Sequence, residues 1–171
     1  NFKYKNILKW SIKNPEIFWD SVWDFSKIIG NKNRKKIKRS KEFYKNIFLP
    51  GTKLNFTENL LVKNNKDKAI TFISENGFRE ERNWQQLNNN ANKVFKFLKN
   101  IKIKKNDRVA AYLPNAIETV EAFLGTVALG SIWSSCSPDF GIKGVIERFS
   151  QINPKILFVA DKYFYNGKVI N

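Results

Sequence analysis

Apolar positions recur at helical spacing in several long stretches, with short β-branched runs between them. Over residues 15–29, Ile17, Phe18, Val22 and Phe25 return every three or four positions, with Trp19 and Trp23 beside them. That spacing predicts an amphipathic helix. Asn14 followed by Pro15 is a capping residue with Pro at the first helical position, and Gly30 is a stop signal. Residues 31–41 (NKNRKKIKRSK) interrupt the apolar pattern with a basic run. It reads as a solvated loop or the polar end of a helix, with attraction of an anion as the alternative. Residues 43–61 are punctuated by Pro50-Gly51 and carry apolar anchors on either side. They read as an ordered strap across a neighbouring domain.

The run AITFIS at 69–74 predicts a strand, Asn76-Gly77 a tight turn, and residues 78–82 the returning arm of a hairpin. The acid pair Glu80 and Glu81 in that arm reads as solvated. Trp84 opens a helix with Leu87, Ala91, Val94 and Leu98 on one face. Asn88, Asn89, Asn90 and Asn92 are poor helix formers, so this helix depends on packing. From Asp107 onward the pattern alternates. Residues 108–113 (RVAAYL) form a strand that Pro114 ends, and Asn115 with Glu118 has the form of a capping box. A helix to Leu129 presents Ile117, Val120, Leu124 and Val127, and Gly130 closes it. Residues 131–134 give a second strand. Asp139 is expected to cap a helix with Val145, Ile146, Phe149 and Ile152 inward. Asn153-Pro154 stops that helix, and residues 155–160 (KILFVA) form a third buried strand. This β-α-β-α-β order predicts an α/β fold with a parallel sheet and right-handed crossovers.

Composition narrows the chemistry. The 171 residues carry 31 Lys and Arg against 15 Asp and Glu, a net charge of +16. Most of the cations are Lys, and Asn and Ile are also abundant. That trio fits biased codon usage better than a selected nucleic-acid face, where Arg is the residue of bidentate contacts. A basic module for nucleic acid or an anionic surface remains the competing reading. No histidine is present, which excludes Ser–His and Cys–His catalysis and imidazole metal sites within this chain. The one cysteine, Cys136, allows no internal disulfide. This fits a reducing compartment and a cytoplasmic location. No apolar run approaches the roughly 18 residues of a membrane span, and no secretory signal is visible. The chain starts at Asn1 and contains no Met, so a fragment or processed product is expected.

The candidate chemistry lies at the end of the alternating region. Ser134-Ser135-Cys136-Ser137 has no base in view and reads as a tight turn whose hydroxyls bond the backbone. Phe140-Gly141 places a ring and a close backbone approach at the sheet edge, where a ligand can sit. The string YFYNGK at 163–168 leaves the third strand as a loop. In it Gly167 turns the backbone, Lys168 offers a mobile cation, and Tyr165 a ring and hydroxyl. An ordinary surface loop is the plainer reading of the same residues. No Gly-rich phosphate-cradling motif occurs.

Four segments go further. PEIFWDSVWDF (15–25), PGTKLNFTENLL (50–61), NDRVAAYLPNAIETVEAFLGTVALGSIWSSCSPDFG (106–141) and RFSQINPKILFVADKYFYNGK (148–168) resemble, in order, the N-terminal part of the acetoacetyl-CoA synthetases. These belong to the adenylate-forming acyl-CoA synthetase superfamily, beside the acetyl-CoA synthetases. DRVAAYLPN is typical of the superfamily, while WSSCSPDFG and YNGK favour the acetoacetyl branch. The resemblance implies a helical N-terminal extension over 1–61 and the start of a large adenylate-forming domain over 62–171. It implies ATP, coenzyme A and Mg2+ as cofactors, acetoacetate as the acid, and the rest of the same polypeptide as the partner that carries the catalytic motifs. Another short-chain acyl-CoA synthetase is the near alternative. No catalytic residue is expected within the chain. The coenzyme A loop of related acetyl-CoA synthetases, R-G-G-R or close to it, corresponds to Tyr165, Asn166, Gly167 and Lys168. Only Lys168 keeps a positive charge there, and it is the expected contact for the nucleotide phosphate. Phe140 and Gly141 correspond to a turn near the pantetheine path.

Overall fold

The protein is described by a computed structural model covering residues 3–33 and 37–170. Arg34, Lys35 and Lys36, the middle of the basic run, lie outside the described residues. The chain divides into two compact units, the first ending at Asn55 and the second starting at Phe56.

In the first unit, helices α1 (Tyr4–Lys13) and α2 (Pro15–Phe25) adjoin at Asn14. The Asn14 side chain does not cap α2. Its Nδ2 donates back to the Trp10 carbonyl at 3.1 Å and closes α1 instead. The rings of Trp10, Phe18, Trp19 and Phe48 form an edge-on chain with centroids 5.2–6.2 Å apart. Helix α2 stops at Phe25, short of the expected Ile29, because Lys27 takes a left-handed φ of 51° and the Ile28 amide donates to the Trp23 carbonyl. Gly30 opens strand β1 (Gly30–Asn31), which pairs with β2 (Lys53–Leu54). A Cβ at Gly30 would stand 2.7 Å from the Lys53 carbonyl oxygen, so close pairing and not helix termination requires this glycine. In the basic run, Lys32 is bound between Asp20 (2.7 Å) and Asp24 (2.8 Å). Residues 43–55 supply a 3-10 turn (Phe43–Lys45) and β2, and the second unit opens with the short helix α3 (Phe56–Leu60).

Among the described residues the rest of the second unit holds two hairpins, three helices of 11–17 residues and the parallel sheet. Strands β3 (Lys68–Ile73) and β4 (Arg79–Asn83) pair antiparallel. The connecting turn is centred one residue earlier than Asn76-Gly77, since the Gly77 amide donates to Ser74 O and only Gly77 is left-handed. This is a type I turn followed by a left-handed glycine. Glu80 and Glu81 are exposed or half-exposed but paired. Arg82 holds Glu80 at 2.6 Å, and Lys68 and Arg79 hold Glu81 at 2.8 and 2.6 Å. Helix α4 (Trp84–Asn100) begins with a true capping box made by Asn83 and Gln86. The expected box at Asn115 and Glu118 does not form. The N-cap of α5 (Ile117–Ala128) is Ala116, with no side-chain cap, and Glu118 turns to Arg82.

Strands β5 (Arg108–Tyr112), β6 (Ile132–Cys136) and β7 (Ile156–Val159) form a parallel sheet in the order β6-β5-β7. The first strand in sequence is therefore the central one. Successive residues of a strand face opposite ways, and both faces of β5 are covered. Val109 joins Leu98 and Ile103, with Trp133, Ile156 and Phe158 packed alongside. Ala110 joins Cys136 and Phe149, flanked by Tyr112, Val145 and Ile152 on the side of α6 (Ile142–Ile152). Helices α4 and α5 meet through Leu87, Ala91 and Leu124. Ser134, Ser135 and Cys136 are strand residues, paired with Ala110, Ala111 and Tyr112, and not the expected tight turn. Ile146 is 60% exposed, so the buried stripe of α6 is narrower than its sequence spacing predicts.

Candidate functional site

The carboxyl ends of β5 and β6 lie side by side, where an open parallel sheet presents its ligand sites. Beyond Cys136 the chain makes a turn fixed by short-range polar contacts. Ser137 Oγ donates to Asp139 Oδ2 at 2.8 Å, and the Asp139 amide donates to Ser137 Oγ at 3.4 Å. Asp139 is thus held within the turn and does not cap the following helix, whose N-cap is Gly141. The last residue of β5 pins this turn from the neighbouring strand. Its Tyr112 hydroxyl lies 2.7 Å from Pro138 O and 2.9 Å from Phe140 O, so its single proton is shared between these two carbonyls. The Phe140 ring is partly exposed and lies under a guanidinium, with Arg148 Cζ 4.1 Å from its centroid. Gly141 is open, with no atom within 4 Å of a Cβ built there.

The expected loop at 163–168 is a β-hairpin. Strand β8 (Tyr163–Tyr165) pairs with β9 (Lys168–Ile170), and Tyr165 faces Lys168 across the closing pair. Asn166 (φ 47°) and Gly167 (φ 75°) are both left-handed, the requirement of a two-residue type I′ turn. Residues opposite each other in such a ribbon share a face, and so do residues two apart in a strand. Tyr163, Tyr165 and Lys168 therefore lie on one face, with the two phenol rings 6.4 Å apart. Lys168 is exposed, and so is Tyr165 in large part. The Gly167 amide donates to Glu75 Oε2 at 3.4 Å.

The two expected site segments are thus both formed, but not joined directly. Among the described residues no hydrogen bond or ring contact links Phe140 or Gly141 to Tyr165, Asn166, Gly167 or Lys168. Tyr163 is near enough to both segments to feel their charges. Burial pushes its phenol pKa up, and the Asp139 charge and the nearby Tyr112 and Tyr165 push it further the same way. Tyr112, Tyr163 and Glu75 were not singled out by sequence reasoning, and Asp139 was expected only as a helix cap. The alternation that aligns Tyr163 with Tyr165 was visible in the sequence, whereas the reach of Tyr112 and Glu75 depends on tertiary placement.

Chemically, this edge offers an exposed ammonium, an outward amide and phenol groups. These are donor groups of the kind that suit an anionic ligand. It contains no nucleophile with a base, and Cys136 is buried. Among the described residues no three His, Cys, Asp or Glu side chains converge as a metal site, and no helix is long and apolar enough to cross a membrane.

Residues 60–169 match the family described as AMP-binding enzyme, and the chain belongs to that family. Among named relatives, it is 40% identical over 159 residues to an acetoacetyl-coenzyme A synthetase of Rhizobium meliloti (strain 1021), covering 93% of this chain and 24% of that protein. It is 38% identical over 174 residues to an acetoacetyl-CoA synthetase of Xenopus tropicalis, covering 96% of this chain and 25% of that one. The solved structure of an acetoacetyl-CoA synthetase from Streptomyces lividans superposes with a TM-score of 0.91 at 28% identity, covering 99% of this chain and 27% of that chain. The chain spans about a quarter of the length of the relatives it matches.

Proposed function

We propose that the chain is the N-terminal portion of an ATP-dependent acid–thiol ligase that converts acetoacetate to acetoacetyl-CoA. The acid attacks ATP to give an acyl-adenylate and pyrophosphate. The coenzyme A thiolate then takes the acyl group and AMP leaves. Residues 62–171 belong in this reading to the adenylate-forming domain and residues 1–61 to its helical extension. Identity to named acetoacetyl-CoA synthetases along nearly the whole chain carries the proposal.

The role of this portion is to receive coenzyme A at the carboxyl edge of the sheet. Lys168 and the Gly167 amide fit a nucleotide phosphate, because a cation and a donor sit next to each other on an exposed tip. Tyr165, opposite Lys168, stacks or hydrogen-bonds where relatives use a second cation, and Asn166 supplies the left-handed turn residue. Phe140 and Gly141, held by Tyr112, border the path of the pantetheine arm. ATP contacts lie on other parts of the polypeptide. The described residues offer no converging carboxylate set for Mg2+, so no step is assigned to that ion here.

The test is an assay of the full-length protein for release of AMP and formation of thioester with acetoacetate, acetate and other short acids. Acetoacetate as the best substrate supports the proposal. Preference for another short acid moves the chain to a different acyl-CoA synthetase. Absence of acid-dependent AMP release with every acid refutes the ligase reading.

A further inference from the structure

Two hairpin tips far apart in sequence meet at the candidate site. The β3–β4 tip presents Glu75 from a turn with little freedom. The Gly77 amide donates to Ser74 O at 3.0 Å, the Phe78 amide donates to Asn76 Oδ1 at 3.1 Å, and Ser74 Oγ bonds Asn76 Oδ1. The β8–β9 tip presents the Gly167 amide, and Glu75 Oε2 accepts from it across 92 residues of sequence. Among the described residues the Glu75 carboxylate has no other hydrogen-bond or ion-pair partner. Amides turned outward by left-handed turn residues form anion-binding positions. An anion already occupies this one, next in sequence to the exposed Lys168.

We infer that Glu75 is a resident anion that competes with a ligand phosphate for the Gly167 amide and thereby limits the affinity of this tip for phosphomonoesters. The inference rests on the coenzyme A reading above. A carboxylate and a phosphate cannot share one amide without repulsion. When a phosphate arrives, Glu75 must swing into solvent, which its exposed turn allows. Removing the charge should tighten binding of a ligand that brings a phosphate to the tip. It should leave unchanged a ligand that lacks that group.

The experiment is calorimetric titration of the full-length protein and its Glu75→Gln and Glu75→Ala variants with coenzyme A and with dephospho-coenzyme A. The glutamine keeps an acceptor for the amide and loses the charge, while the alanine loses both. An exposed charge contact of this kind corresponds to a change of about two- to fivefold. Coenzyme A should bind about that much more tightly to both variants, with alanine at least equal to glutamine, and dephospho-coenzyme A should not distinguish the three proteins. Equal coenzyme A affinities, or weaker binding to the alanine variant, would show Glu75 to be a purely structural tether and overturn the inference while leaving the coenzyme A reading intact. Absence of coenzyme A binding by all three proteins overturns the reading and the inference together.

Discussion

Replacing Gly125 by alanine should destabilise the protein, against the usual preference of helices. Glycine in a helix interior costs about 1 kcal/mol relative to alanine, so Gly125→Ala in the middle of α5 ought to be stabilising if α5 stood alone. It does not. A Cβ at this position would lie 2.6 Å from the Ala91 carbonyl oxygen, 2.6 Å from Val94 Cβ and 2.8 Å from Val94 Cγ1, all on α4. Ordinary contacts between such atoms are about 3.5–4.0 Å, and a backbone carbonyl cannot rotate away. Relief requires α4 and α5 to separate by roughly 1 Å, which loosens the cluster of Leu87, Ala91 and Leu124. Overpacking costs about 1–3 kcal/mol; with three contacts under 3.0 Å, one of them to a backbone oxygen, the cost falls in the upper part of that range, about 2–3 kcal/mol, and less the gain in propensity of about 1 kcal/mol the expected net loss is about 1–2 kcal/mol. Gly144 in α6 is the control. The nearest atom to its Cβ is Phe140 Cδ1 at 3.8 Å, so Gly144→Ala should gain up to about 1 kcal/mol. Equilibrium urea unfolding followed by tryptophan fluorescence reads both, as a lower midpoint for Gly125→Ala and a higher one for Gly144→Ala at unchanged slope. A Gly125→Ala midpoint equal to or above that of the parent would refute the close α4–α5 packing.

Further outcomes follow from the same contacts. Lys68 and Arg79 lower the Glu81 pKa from 4.5 to about 2. Because the folded value lies below the unfolded one, this contribution is present above about pH 4.5 and is lost as the pH falls towards 2; Glu81→Gln should flatten that part of the stability–pH curve. Thr57 Oγ1 donates to the Leu124 carbonyl at 2.8 Å in a buried contact. Thr57→Val should therefore lower unfolding free energy by about 1 kcal/mol with little change in circular dichroism. Leu157 and Val159 on edge strand β7 are 48% and 60% exposed. An apolar edge of this kind favours association, and Leu157→Lys should reduce concentration-dependent self-association in sedimentation velocity.

The alternating architecture was legible because its signals are local. The β5, α5, β6, α6 and β7 segments each carry their own period, and short connections leave few ways to arrange them. What failed were single polar residues near element ends. Asn14, Asn115 and Asp139 have the right chemistry for capping, but each position offered a competing partner or a different helix start. Asn14 found the Trp10 carbonyl, and Asp139 found Ser137. The run of Ser134, Ser135 and Cys136 looked like a turn because small polar residues usually mark one. Here close packing beside β5, with Ala110 and Ala111 opposite, makes them strand residues. The tip at Asn166-Gly167 carries the same Asn-Gly dipeptide that predicted a tight turn at residues 76–77, and could have been read as a hairpin on that signal. The contacts of Tyr112 and Glu75 could not, because they join residues 26–28 and 92 positions apart.

In the proposed reading Lys168 at the β8–β9 tip receives the nucleotide phosphate of coenzyme A. Titration of coenzyme A into the full-length protein, its Lys168→Ala variant and a Lys66→Ala variant, which removes an exposed charge in the loop before β3, tests this contact. Loss of one exposed phosphate contact is worth about 1 kcal/mol, roughly fivefold in affinity. That weakening is expected in Lys168→Ala alone. Equal weakening in both variants would mean that coenzyme A is drawn only by the net charge of +16, and unchanged binding in Lys168→Ala would remove the tip from the site.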